Sequence, residues 1–158
     1  MAFEKATYED LLDDHFNRLT RFLNMPVDEL IKIKDCWAIG SKVDQLQDNN
    51  LHPDNGEYIF LLAPPRRVIH FTDLLDLPTK CIFNNDVSDF RFITTLERWE
   101  KDLPVDPAII YLDGLAQKLK ISDGRHRLVL SAFMNKNPIP IAVLISQVKR
   151  ISDLLNIQ

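Results

Sequence analysis

Cysteine, histidine and glycine are all scarce in this chain of 158 residues. The two cysteines, Cys36 and Cys81, form no C-x-x-C pair, so the sequence predicts neither a disulfide framework nor a zinc cluster, and both thiols are expected to be buried. The histidines at positions 15, 52 and 70 show no paired ligand spacing, which disfavours a metal site built from histidine. With 4 glycines, 9 prolines and no internal repeat, the sequence is neither collagen-like nor of low complexity. Folding must therefore depend on an ordinary hydrophobic core.

Long hydrophobic runs and an excess of positive charge are also absent. The longest apolar runs, such as 139–145, are far shorter than the roughly 20 residues of a membrane helix. Residues 1–5 lack the basic and then apolar order of a signal peptide. The protein is therefore expected to be soluble and cytoplasmic, without a membrane partner. A net charge of -4 and a pI near 5.5 disfavour sequence-independent DNA binding, which depends on lysines and arginines.

The N-terminal third of the chain has a helical pattern. Thr7 and Asp10 have capping-box spacing and precede apolar residues at helical intervals, which predicts a helix from Thr7 to Leu23. Pro26 is placed to begin a second helix, and the polar residues 41–56 predict an exposed loop. We therefore expect an N-terminal helical segment and loop, residues 1–56, packed on a core that residues 57–158 form.

The rest of the chain mixes strand-like and helix-like patterns. Apolar and β-branched runs predict short strands at 58–62, 67–71, 81–83, 108–112, 119–121 and 139–145, with a hairpin signal at Asp113-Gly114. Helical spacing and capping residues predict a short helix at 72–75, a helix at 89–103, a helix after Gly124, and a final helix that Ser146 caps. This order predicts an α/β fold in which a small mixed sheet packs against helices.

The sequence from Ser122 to Arg127 carries the strongest chemical signal. A strand that runs through Asp123-Gly124 into a helix leaves the first N–H groups of that helix unpaired, and these groups favour an anion. Arg125, His126 and Arg127 add donors suited to phosphate oxygens. Positive side chains at a helix N-terminus are electrostatically unfavourable unless an anion or acidic partners compensate them. The pattern therefore predicts a phosphate site, and the alternative is that the arginines pair with surface carboxylates.

Each residue of this turn has a predicted role. Ser122, Gly124, Arg125 and Arg127 would hold phosphate, with Arg127 as the main side-chain partner. His126 would donate to phosphate or act as an acid or base near neutral pH. Asp123 would cap the helix or bind a Mg²⁺ ion carried by a nucleotide.

The segment 119–127, with the following helix and the segment 137–143 (Asn-Pro-Ile-Pro-Ile-Ala-Val), resembles the signature of the ParB/sulfiredoxin-like superfamily. That signature is a strand leading to G-x-x-R, a helix and a strand that begins with isoleucine and proline. The upstream helix and hairpin also come in the superfamily's order, so the resemblance covers residues 80–146. It implies the superfamily's small mixed sheet and a nucleotide ligand, ATP or CTP, with Mg²⁺.

Departures from the superfamily's patterns narrow the expected activity. Sulfiredoxins have a reactive cysteine where this chain has Arg125, so thiol chemistry is not expected. ParB clamps have further helices and a DNA-binding unit downstream of the turn, for which the 31 residues after Arg127 (158 minus 127) are too few. The D-G-x-H-R form of the turn most resembles that of the free serine kinases in this superfamily, where it serves nucleotide and substrate binding.

Two functions stay open at this point. The first is a nucleotide- or phosphate-binding protein, either an NTPase or a small-molecule kinase. The second is a non-catalytic or inhibitory module of a mobile element, which binds a protein partner through N-terminal residues such as Phe16, Phe22 and Trp37. A ParB-like nuclease fits less well, because the chain is acidic and has no cluster of carboxylates. Glu97 and Glu100 of the helix at 89–103 are candidate carboxylates for the phosphate site, and Arg66, Arg67 and the turn at 84–86 are candidate elements of its rim.

Overall fold

A computed structural model describes residues 7–74, 77–78, 81–84 and 87–157. The described residues form six α-helices: α1 (Tyr8–Leu23), α2 (Val27–Ile31), α3 (Pro65–His70), α4 (Val87–Glu100), α5 (Arg125–Phe133) and α6 (Val148–Leu155). They also form four strands: β1 (Tyr58–Ala63), β2 (Ala108–Asp113), β3 (Lys118–Asp123) and β4 (Ile139–Leu144). The fold is thus mixed α/β, as the sequence predicts. None of the helices in these ranges is long and apolar enough to cross a bilayer.

The four strands form one mixed sheet in the order β1-β4-β2-β3. β4 runs antiparallel to β1 and parallel to β2, and β2 and β3 form an antiparallel hairpin. The residues of β4 from Ile139 to Val143 are all buried, because α-helices pack on one face of the sheet and the segment 38–51 packs on the other. One irregularity lies beside the predicted phosphate turn: Ile109 pairs with Asp123 but Ile110 pairs with Ile121, so Ser122 is an extra residue in β3.

The N-terminal helical segment shares the main core. Leu19 and Phe22 of α1 are buried in the same apolar cluster as Leu96 of α4 and Ile141 of β4. Two ion pairs join α1 to α4, Arg18 to Glu97 and Arg21 to Glu100. The segment after α2 is hydrogen-bonded to the loop after α4. The Ala38 N–H donates to the Val105 carbonyl, and the Val105 N–H donates to the Cys36 carbonyl.

The start of α1 has the capping box that the sequence predicts. The Asp10 N–H donates to the Thr7 hydroxyl at 3.1 Å, and the Thr7 N–H donates to the Asp10 carboxylate at 3.0 Å. The hydrogen bonds from the backbone and side chain of Thr7 lower the pKa of Asp10.

Because the folded pKa of Asp10 is below its unfolded value, the capping box stabilises α1 above about pH 4, and this contribution is lost as the pH falls through the folded pKa. We expect amide exchange in the first turn of α1 to accelerate, relative to the rest of α1, as the pH falls below about 4. Hydrogen exchange measured across this range would test it. Thr7→Ala should show fast exchange at every pH, and an unchanged wild-type profile would contradict the prediction.

Several predicted elements are wrong. Residues 67–71 lie mainly in helix α3 rather than a strand, because Pro65 is well placed at a helix start and Pro65, Val68 and Ile69 are buried at helical spacing. Residues 81–83 are not a strand: Cys81 is exposed and Ile82 alone of the three is buried. An isolated run of three apolar residues cannot distinguish a strand from a buried loop.

Smaller errors concern loops and caps. The loop at 41–56 contains three short 3-10 helices, Gly40–Gln45, Asn49–Leu51 and Pro53–Asn55. Residues 72–74 are not helical, and Leu75 lies outside the described residues. Ser146 does not cap α6; the N-cap is Gln147, whose side chain instead bonds both backbone groups of Leu112.

Candidate functional site

A cleft of about 710 Å³ opens where α4 faces the junction of β3 and α5. All six residues from Ser122 to Arg127 line it, as do residues of α4 and of the loop before β2. The structure therefore brings together every residue that the sequence singled out for the phosphate site.

Gly124 forms the sharp turn between β3 and α5. It is the N-cap of α5, its φ is +90°, and its carbonyl accepts the Leu128 N–H. A Cβ at this position would lie 2.7 Å from the Cα of Ala108 and 2.8 Å from Nη2 of Arg127. Glycine is therefore required for both the positive φ and the close approach to β2. Because Gly124 has no side chain, it leaves the first N–H groups of α5 without a cap from that position.

Asp123 does not cap α5, which corrects one of its two predicted roles. As the last residue of β3 it lies one position too early, and its Oδ1 accepts the N–H of Gly124 at 2.8 Å. Its Oδ2 lies 3.9 Å from Nη2 of Arg127, and two thirds of the side chain is exposed. Asp123 thus stabilises the turn through Oδ1, while its exposed side chain keeps Oδ2 available at the cleft.

Arg127 is largely buried, and its charge is only partly compensated by neighbouring carboxylates. Burial lowers its pKa, and the nearby carboxylates of Asp123 and Asp106 only partly offset that effect. Its Nε is buried and has no hydrogen-bond partner among the described residues. Buried polar groups are nearly always hydrogen-bonded, and an orphaned donor on a cation is costly. Arg127 would therefore gain substantially from an anion in the cleft.

The other three turn residues differ in exposure. His126 is half-buried, and its ring meets the ring of Phe92 on α4 edge to face at 5.3 Å. Ser122 and Arg125 are exposed. Arg125 also borders a smaller pocket beside Lys120. The histidine is thus positioned by packing, whereas Arg125 is free to turn toward a ligand at the cleft mouth.

A polar face of α4 forms the opposite wall, and sequence reasoning missed it. Arg91, Thr94, Thr95 and Arg98 line the cleft. The Thr94 and Thr95 hydroxyls donate to the carbonyls of the residues four positions earlier, and Arg98 donates to the Pro104 carbonyl. The signal was available, since these residues recur at i, i+3, i+4 and i+7 opposite the apolar side that contains Ile93 and Leu96.

The loop before β2 closes the deep end of the cleft through Asp106. This buried carboxylate accepts the N–H groups of Gln47 and Asp48, both at 2.9 Å. Gln47 and Asp106 line the cleft as well. The polar loop of the N-terminal segment thus contributes directly to the site, which the sequence did not indicate.

The cleft carries an excess of positive charge although the chain has a net charge of -4. Its lining includes four arginines, at positions 91, 98, 125 and 127, against two carboxylates, Asp106 and Asp123. Asp106 already accepts two backbone N–H groups, and Asp123 is more exposed. Asp123 is therefore the carboxylate better placed to bind a cation that a ligand also binds. Within the described ranges, no group of three or more metal-binding side chains occurs.

Other residues considered at the sequence level do not join the cleft. Glu97 and Glu100 pair with arginines of α1, and Arg66 and Arg67 donate to the carbonyls of Ala132 and Leu155. The Asn84 N–H donates to Asp89. The rest of that turn, residues 85–86, lies outside the described residues.

Comparison with protein-family models, with curated proteins and with solved structures found no match to this chain. The resemblance to the ParB/sulfiredoxin-like superfamily is therefore a hypothesis that rests on the turn sequence and the order of elements.

Proposed function

We propose that this chain binds the phosphate groups of a nucleotide, ATP or CTP with Mg²⁺, in the cleft between α4 and the start of α5. The observation that carries the proposal is Arg127, a desolvated cation with an unpaired buried Nε beside the N-terminus of α5. A phosphate oxygen supplies the missing acceptor, and charge-assisted hydrogen bonds of this kind are stronger than neutral ones. The ParB/sulfiredoxin-like resemblance of the turn supports the same ligand.

The roles of the cleft residues follow from their positions. The first N–H groups of α5 and the guanidinium of Arg127 hold one phosphate group. Arg91 and Arg125, which are exposed at the cleft mouth, bind further phosphates or the rest of the ligand. The exposed carboxylate of Asp123 contacts a Mg²⁺ ion that the nucleotide brings. His126, held against Phe92, is the proton donor or acceptor for a transferred group.

Arg127→Ala is expected to weaken binding by about tenfold or more, because one charge-assisted hydrogen bond contributes about 1.5–3 kcal/mol. Calorimetry with ATP, CTP, ADP and tripolyphosphate, with and without Mg²⁺, measures this loss. Arg150→Ala on α6 removes the same charge from an exposed position outside the cleft, and its affinity should equal that of the wild type.

Arg127 is largely buried, so its replacement also affects folding. Thermal unfolding without ligand checks that effect, and Arg91→Ala provides a second variant at an exposed position of the same cleft. The proposal fails if no polyanion binds the wild type, or if Arg91→Ala and a folded Arg127→Ala both bind as tightly as Arg150→Ala.

Turnover separates an enzyme from a binding protein. Release of inorganic phosphate from ATP indicates an NTPase, and a phosphorylated acceptor indicates a kinase; free serine is the first acceptor to test, because of the resemblance of the D-G-x-H-R turn. His126→Asn should abolish turnover while it leaves nucleotide affinity within about threefold. Binding without any product would favour the non-catalytic alternative.

The alternative, a module that binds a protein partner, is supported by one observation. The α1 helix exposes Leu12, Phe16 and Leu23 along one side, and Phe16 is 64% exposed. Phe22 and Trp37, which the sequence also indicated for this role, are buried in the core instead. Leu12, Phe16 and Leu23 are not among the residues that line the cleft, so both functions are compatible in one chain.

A further inference from the structure

A cysteine and a lysine form a close pair outside the cleft. The Nζ of Lys42 lies 3.0 Å from the Sγ of Cys36. The thiol is buried, whereas about a third of the Lys42 side chain is exposed. Such a distance is a hydrogen bond between the ammonium group and sulfur, and it is short enough for the two atoms to react if the sulfur becomes electrophilic.

Several contacts hold the two groups in place. The Cys36 carbonyl accepts both the Val105 N–H and the indole N–H of Trp99. Lys42 is fixed by the 3-10 helix Gly40–Gln45 and by an ion pair between its Nζ and Asp102 at 3.4 Å. The hydrogen bond with the Cys36 sulfur is the largest cause of a raised Lys42 pKa. Hydrogen bonds to the Cys36 backbone and an ion pair to Lys42 therefore hold the two side chains together.

We propose that oxidation by a peroxide joins Cys36 to Lys42 through a sulfur–nitrogen bond. In the first step the sulfur attacks one peroxide oxygen, the O–O bond breaks, and one water leaves; the thiol is oxidised to a sulfenic acid and the peroxide is reduced. In the second step Lys42 attacks that sulfur, the S–O bond breaks as the S–N bond forms, and a second water leaves. The ammonium form of Lys42 releases one proton to solvent. The product has lost two hydrogens and has gained no oxygen.

The bond would close a short ring at the edge of the cleft. It joins residue 36, which is fastened to Val105, to the 3-10 helix that precedes Gln47. Gln47 and Val105 both line the cleft. Closing this ring restricts the unfolded chain, and we expect the midpoint of thermal unfolding to rise by about 5 °C after oxidation.

The test uses the full-length chain with Cys81→Ser, because Cys81 is exposed and is the only other thiol that can form a disulfide or a sulfenic acid. After treatment with hydrogen peroxide, trypsin should cut this protein poorly after Lys42, since a linked lysine is not recognised. Mass spectrometry should find the peptide that spans Cys36 and Lys42 lighter by two hydrogens. Treatment with a thiol reductant should restore both the mass and the cleavage.

Lys42→Arg is the matched variant, because it keeps the positive charge and the trypsin site but has no primary amine. Its Cys36 should stop at the sulfenic or sulfinic acid, without the rise in unfolding temperature. The proposal is overturned if peroxide leaves Cys36 unreacted in the Cys81→Ser protein. It is also overturned if Cys36 gains oxygen while Lys42 stays free, or if Lys42→Arg shows the same two-hydrogen loss.

Discussion

Replacing Gly124 with alanine is expected to lower the free energy of unfolding by about 2–5 kcal/mol. A positive φ costs a residue with a Cβ about 1–2 kcal/mol, and forcing a methyl group into a packed site costs about 1–3 kcal/mol. Both penalties apply at Gly124, where the φ is +90° and the new Cβ would lie 2.7 Å from the Cα of Ala108. Backbone atoms of a central strand cannot move aside as a flexible side chain would.

Gly56→Ala is the matched control for this substitution. Gly56 also has a positive φ, +71°, but a Cβ there would have no heavy atom within 4 Å. It should therefore lose only the conformational penalty, about 1–2 kcal/mol. Denaturant unfolding of both variants measures the difference. Equal losses would show that the approach of Gly124 to Ala108 is not tight in solution.

The Gly124 substitution should also weaken anion binding, since the added Cβ would lie 2.8 Å from Nη2 of Arg127. The guanidinium must then leave its place over the turn. Gly56→Ala lies outside the cleft and should bind tripolyphosphate as the wild type does. A Gly124→Ala protein that loses stability but keeps full affinity would separate the turn's structural role from its proposed ligand.

Replacing Asp106 with alanine is the second change for which we expect a large effect, a loss of about 3–6 kcal/mol in the free energy of unfolding. Each hydrogen bond to a charged group contributes about 1.5–3 kcal/mol, and removing the acceptor leaves partly buried donors unpaired. The carboxylate accepts the N–H groups of Gln47 and Asp48, so the variant frees the polar loop from the start of β2.

Asp106→Asn keeps one carbonyl oxygen as acceptor and should lose about half as much as Asp106→Ala. Asp48→Ala removes another carboxylate from the same loop. Among the described residues, the Asp48 carboxylate accepts only the exposed N–H of Asn50, so this variant should lose about 1 kcal/mol or less of unfolding free energy. Denaturant unfolding compares the three. If Asp106→Ala resembles Asp48→Ala, the two bonds to the loop do not contribute to stability.

Local patterns predicted much of the fold. The capping box at Thr7, the helical spacing in α4, the Asp113-Gly114 hairpin and the strand at 139–144 are all present. These signals are contained within a few consecutive residues. The errors at 67–71 and 81–83 occurred where short apolar runs fit a strand as well as a helix or a buried loop, and there tertiary packing decides.

The site was predictable on one side only. The turn from Ser122 to Arg127 is contiguous, so its residue types and order reveal its chemistry directly. Arg91 and Gln47 reach the same cleft from distant parts of the chain, and the helical spacing of polar residues around Arg91 does not indicate which element that face meets. A polar helix face is usually solvated surface, which is why Arg91 and Arg98 were not singled out. Only the packing of α4 on α5 makes that face a cleft wall.

The extra residue in β3 also bears on how this turn tolerates insertions and deletions. Ser122 has no partner in the hairpin register, between the Ile110–Ile121 and Ile109–Asp123 pairs. Loss of that one codon would draw Asp123 and Gly124 back by about 3.3 Å and reverse the faces on which the strand's last side chains lie. Point changes at Ser122 itself should be tolerated, since the position is exposed. The number of residues in β3, more than the identity of Ser122, therefore keeps Arg127 directed into the cleft.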